Sequence, residues 1–234
     1  MHPSSRHGML AAGTLLLTSF GALIGSAQQG TDPLMKHLTG RLTTIDKQKP
    51  VLIAVTPGGG AGQAKELNIA SGPAMMKDVR VERLDVHALD FVYDAAKLTK
   101  ESDLAVKSVG KFYMHAEVSA AALTDRVTAG KNTKELSATV SFDDGKAIIR
   151  GNFKYSFIRG NFEALLTPSI RKNNQIVFSI DKLKVLSIPA PKLARRKLQE
   201  KMTPLDMGDL VGAPRIDDLR IEGDRMKVTG GKPF

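Results

Sequence analysis

Cysteine is missing from this chain of 234 residues, and so is tryptophan. Without cysteine there is no disulfide framework, no thiol nucleophile and no thiolate metal site. Nor is there a residue to carry the acylated anchor of a lipoprotein. Aromatic residues make up only 5% of the sequence, which weakens any reading built on stacked nucleic-acid bases. Histidine is scarce as well. Beyond residue 27 only His37, His87 and His115 occur, none at metal-ligand spacing, so no zinc site is expected. His115 follows Met114 in a strand pattern and reads as a surface or half-buried residue whose hydrogen bonds are met.

Catalytic signatures are missing too. No Gly-x-Ser-x-Gly elbow exposes a serine, and no Gly-x-x-x-x-Gly-Lys loop cradles phosphate. The glycines of residues 58–62 follow a strand but do not fit Gly-x-Gly-x-x-Gly, so this is a flexible loop. Asp143-Asp144-Gly145 reads as a hairpin turn, and Asp217-Asp218 as an equally local pair. No enzyme and no cofactor are expected. A hydrolase stays open only if carboxylates, or a serine and a histidine, converge from distant segments.

Negative charge is in the minority, with 24 Asp and Glu against 34 Lys and Arg, for a net charge of +10. The N-terminus reads as a secretory signal peptide over residues 1–27. Arg6 supplies its positive region, residues 10–24 an apolar run, and Gly25-Ser26-Ala27 a small-residue cleavage site. Cleavage after Ala27 is favoured over an uncleaved anchor, because the apolar run is barely long enough to span a bilayer. An exported, basic protein in the periplasm or cell envelope favours anionic lipid or acidic polysaccharide over nucleic acid.

The rest of the chain is mostly β in pattern. Residues 28–77 form an N-terminal extension, with a short helix leading to a strand, a strand signal at residues 51–55 and the Gly-rich loop. Residues 79–93 alternate in two phases, which predicts a bulge or a bent strand. Phe112, Met114, Ala116 and Val118 alternate as a strand, and Ser119 can cap a helix that Gly130 ends. A meander follows, with Phe142, Ile149, Phe153, Phe162, Leu166, Phe178 and Ile180 at inward positions. After Pro191 the period becomes helical, with Leu193, Ala194, Leu198 and Met202 apolar and Lys192, Arg195, Arg196, Lys197 and Lys201 around them. A hairpin around Gly223-Asp224 closes the chain.

Over residues 78–234 the chain resembles the LmeA-like phospholipid-binding family. Leu84-Asp85-Val86-His87-Ala88-Leu89-Asp90-Phe91 resembles its early strand, and His115-Ala116-Glu117-Val118-Ser119 its strand-into-helix step. Gly145-Lys146-Ala147-Ile148-Ile149-Arg150-Gly151 resembles the next hairpin. Ile176-Val177-Phe178-Ser179-Ile180, a Pro-led helix and Thr203-Pro204-Leu205-Asp206 follow in order, then Leu219-Arg220-Ile221-Glu222-Gly223-Asp224. The resemblance implies an α+β, β-dominated fold of the tubular lipid-binding type: a long twisted antiparallel sheet curled around one or two helices. It also implies phospholipid binding without catalysis.

On that reading the apolar groove would be lined by Phe112, Met114, Phe142, Ile149, Phe153, Phe162, Leu166, Phe178, Ile180, Leu193 and Leu198. Lys192, Arg195, Arg196, Lys197 and Lys201 would meet anionic headgroups and the membrane surface. Each apolar residue has the plainer reading of core, and each cation that of a solvated face. The alternative function is a structural or adhesive envelope module that binds anionic polysaccharide or protein.

Overall fold

The computed structural model describes residues 33–76, 79–101, 103–128, 136–155, 158–171, 174–201, 204–206 and 215–234. The expected signal peptide and the Gly130 helix stop lie outside these residues. Along the chain, α1 (Pro33–Arg41) leads into β1 (Leu42–Thr44), followed by β2 (Leu52–Pro57), β3 (Gln63–Ser71), β4 (Ala74–Met76), β5 (Val79–Val81) and β6 (Arg83–Tyr93). Then come α2 (Ala95–Glu101), β7 (Val106–Ser108), β8 (Lys111–Ser119) and α3 (Ala120–Thr128). Four long strands follow: β9 (Leu136–Asp143), β10 (Lys146–Tyr155), β11 (Ile158–Arg171) and β12 (Gln175–Val185). The chain finishes with β13 (Ile188–Pro189), α4 (Lys192–Lys201), β14 (Leu205–Asp206), β15 (Asp218–Glu222) and β16 (Arg225–Gly231).

The fold is α+β and β-dominated, every described strand pairing is antiparallel, and the sheets do not close into a barrel. The strands divide among three sheets. Sheet I has the order β15-β16-β8-β6-β3-β2, with β7 paired to β6. Sheet II has the order β13-β12-β11-β10-β9, with β14 paired to β12. A small sheet joins β1, β4 and β5. The N-terminal extension is built into this frame, since Ile69 of β3 pairs with Val86 of β6.

Alternation explains which face of sheet I is buried. Leu84, Val86 and Ala88 of β6 lie opposite Ala116, Met114 and Phe112 of β8, and all six are buried. Val228 and Met226 of β16 extend the same layer. The expected phase change in β6 falls at Asp90, whose φ of 53° breaks the alternation. Phe91 and Tyr93 are buried beyond it. The partner strand changes phase at the same place, from Leu67 to Ala64, while the register holds from Glu66↔Leu89 to Ala64↔Phe91. Both strands therefore change phase together. Ser119 caps α3 as expected, its Oγ accepting from the Ala122 N–H at 3.1 Å.

The outward face of sheet I is ionic. Arg83, Glu117 and Lys227 lie side by side across three strands. Glu117 pairs with His115 at 3.1 Å and accepts from Arg225 at 2.7 Å. The hydrogen bond with His115, and then that from Arg225, hold its carboxyl below the usual 4.5 against the opposing effect of burial. A carboxyl depressed in the folded state stabilises above its unfolded value, and that contribution fades as pH falls through the folded value. Urea unfolding followed below pH 4.5 should thus show a flatter acid limb for Glu117→Gln than for wild type. Equal slopes would remove Glu117 from the acid response.

Candidate functional site

Sheet II is where the candidate residues gather. Its inward layer runs across four strands as Val140, Ile149, Ala164 and Leu183, and beside it as Phe142, Ala147, Leu166 and Ile180. Leu166 and Ile180 are buried, whereas Phe142, Ile149, Phe162 and Phe178 are only half-buried. The sequence grouped Phe112 and Met114 with them. The structure places both on sheet I instead, among its buried residues, Met114 at 0% exposure. Leu193, expected to flank the helix's apolar face and line the groove, is 54% exposed. The side chains of Phe153, Lys197, Leu198 and Lys201 lie outside the described residues.

Helix α4 does more than present cations. Residues 188–201 and 204–206 lie along the outer edge of β12 and satisfy its backbone piece by piece. Lys184 and Val185 pair with Pro189 and Ile188, and Ile176 pairs with Leu205. Between them, the Ala190 N–H donates to the Leu183 carbonyl, and Arg195 donates to the Asp181 carbonyl at 3.0 Å. Gln199 then copies a neighbouring strand. Its Nε2 donates to the Phe178 carbonyl and its Oε1 accepts from the Ile180 N–H, both at 2.7 Å. An open edge invites pairing with other chains, and a docked helix is one way to cover it.

Arg195 is therefore a structural cation, half-buried and committed to Asp181. Arg196 remains exposed and pairs with Glu200 at 3.6 Å. Lys192 is exposed. Under the helix lies a cavity of about 360 Å³ lined by Arg171, Val177, Phe178, Arg196, Gln199, Glu200 and Pro204. It brings together Phe178 from the expected groove and Arg196 from the expected headgroup set.

A second cleft, of about 470 Å³, opens at the other end of sheet II. Phe162 and Gly151 lie there among Ser137, Thr139, Asn152 and Asn161, with Arg150, Glu163 and Lys184 as its charges. Glu163 accepts from Arg150 at 2.8 Å and lies 3.7 Å from Lys184. The hydrogen bond from Arg150, then the Arg150 and Lys184 charges, keeps its carboxyl below the usual range. Two cations to one carboxylate leave the cleft with positive charge. Both spaces fall at the small end of ligand pockets, which run from about 300 to 1,000 Å³.

Sequence reasoning missed Arg150, Lys184 and Arg171. They belong to strands, where a polar alternation names an outward face but not which cations meet. A bulge decides part of the arrangement. Two residues of β12, Asp181 and Lys182, oppose Leu165 of β11, and the extra residue is Asp181. Its carboxylate accepts from Lys146 and Thr167, both at 2.8 Å. Among the described residues, no three His, Asp or Glu side chains are grouped so as to hold a metal ion. No helix among them is long and apolar enough to cross a membrane. No protein-family model matches the chain, and neither a curated protein nor a solved structure shows similarity to it.

Proposed function

We propose that this is an exported, non-enzymatic lipid-binding protein that takes the headgroup end of an anionic phospholipid at sheet II and shelters part of its acyl chains. The observation that carries this reading is the cavity beneath α4. Val177 and Phe178 give it an apolar floor, and the Arg171 and Arg196 side chains line the same space. An anionic amphiphile needs both. Each CH2 removed from water contributes about 0.8 kcal/mol, and a guanidinium recognises phosphate with directed hydrogen bonds. The half-buried Phe142, Ile149 and Phe162 add further apolar surface on the same sheet.

Native mass spectrometry of the mature chain, purified from a lipid-containing host, tests the reading. The wild type should carry phospholipid, and Phe178→Asp should arrive empty with an unchanged far-ultraviolet spectrum. A wild type free of lipid would overturn the proposal. An envelope module that binds acidic polysaccharide is the second reading. It is favoured by the hydrogen-bonding side chains of Ser137, Thr139, Asn152 and Asn161 around Arg150 and Lys184.

A further inference from the structure

Among the described residues six large apolar side chains are prominently exposed, and three of them fall within eight positions. They are Leu186 at 51%, Ile188 at 67% and Leu193 at 54%. Leu186 and Ser187 are the two central residues of the turn joining β12 to β13, between the paired Val185 and Ile188. Both have positive φ, 52° and 65°. This is the backbone that a tight hairpin requires, and asparagine and glycine meet it most easily. The β9–β10 hairpin of this chain does so with Asp144 and Gly145, at 45° and 71°. At Leu186 the fold gains neither a relaxed backbone nor a buried side chain.

Charge singles out the same segment. From Lys182 through Gln199 there are six Lys or Arg residues and no Asp or Glu. The first turn of α4 stays at this end of the sheet, because Arg195 reaches Asp181 and Ala190 reaches Leu183. Lys184 and Ser187 also line the 470 Å³ cleft, which therefore opens beside the turn.

We infer that the β12–β13 turn is a membrane wedge: Leu186 and Ile188 enter an anionic leaflet, and Lys184 and Lys192 hold its headgroups. An exposed apolar tip rimmed by cations matches such a surface in both its layers. Leu193, beside Lys192, adds apolar area at the rim. The inference rests on the lipid-binding reading above and names the place where the protein meets the bilayer.

Two variants test it. Leu186→Asn suits the positive φ better than leucine does, so it should raise the thermal midpoint. It should also lower partition onto vesicles of phosphatidylglycerol and phosphatidylcholine, with Leu186→Asn/Ile188→Ser falling about tenfold or more. A change confined to folding would not move the two readouts in opposite directions. Because the chain has no tryptophan, Leu186→Trp gives a single fluorophore. Its emission should shift to the blue and be quenched by brominated lipid, while a Leu52→Trp control on β2 stays unchanged.

Undiminished vesicle binding by the double variant, or an unshifted Leu186→Trp spectrum, would overturn the wedge. A wild type that carries lipid yet ignores vesicles would also sink the wedge while leaving the carrier reading intact. An empty wild type that still binds vesicles through Leu186 would do the reverse.

Discussion

Replacing Gln199 by leucine is expected to cost about 3 kcal/mol and to lower Tm by about 6–12 °C. The side chain makes two 2.7 Å hydrogen bonds to backbone on the free edge of β12. Leucine fills similar space but leaves the Phe178 carbonyl and the Ile180 N–H without it. A buried polar group stripped of its partner costs about 1–3 kcal/mol, so two of them account for the expected loss. The edge would also become available to other extended chains, so sedimentation should reveal self-association that grows with concentration. Gln199→Glu keeps the acceptor and loses the donor, and should fall between the two. A leucine variant as stable and monomeric as wild type would show that α4 is not what closes this edge.

Gly151→Val is expected to be comparably severe, costing about 3 kcal/mol, the upper end for overpacking. Gly151 sits in β10 between Ala138 of β9 and Phe162 of β11. A Cβ there would collide with the Ser137 carbonyl oxygen and come within 2.7 Å of the Phe162 ring. The ring can turn aside, but the carbonyl belongs to a paired strand. Gly151→Val/Phe162→Ala should therefore recover only part of the loss in urea unfolding. Full recovery would mean that the ring alone makes the constraint. Because Gly151 and Phe162 line the 470 Å³ cleft, the valine should also distort that space.

Most of the strands were legible because their periodicity is local. Met114 and Val118 alternate with charged or polar residues, and a β-strand turns that alternation into two faces. The phase change in β6 was visible for the same reason, although its cause, the left-handed backbone at Asp90, was not. Helix α2 escaped notice. Its signal was the capping residue Asp94, which accepts from the Ala96 and Lys97 N–H groups at 3.1 and 3.0 Å, followed by a helix too short to show a period.

The site was legible only in part. Phe178 and Arg196 were both named, but their meeting depends on how α4 docks. That docking is set by Gln199, which looks like any polar helix residue until its strand is known. For Met114 and Phe112, alternation names an inward face but cannot tell a lining from a filling. Leu186 carried no signal of its own in the sequence. The turn itself appears only when Val185 and Ile188 are seen to pair.

The ionic ladder on sheet I has a consequence for how the molecule approaches a charged surface. There Arg83 pairs with Asp85, Lys227 with Glu222 and Arg225 with Glu117, so cations and carboxylates offset one another. Residues 182–199 contribute six of the net ten positive charges of the whole chain. Among the described residues the positive charge is thus unevenly spread, with residues 182–199 carrying no Asp or Glu. In the field of a negative plane the protein turns the α4 end forward before touching, within roughly a Debye length of about 8 Å at physiological ionic strength. Orientation of this kind acts on the rate of arrival, and added salt erases it.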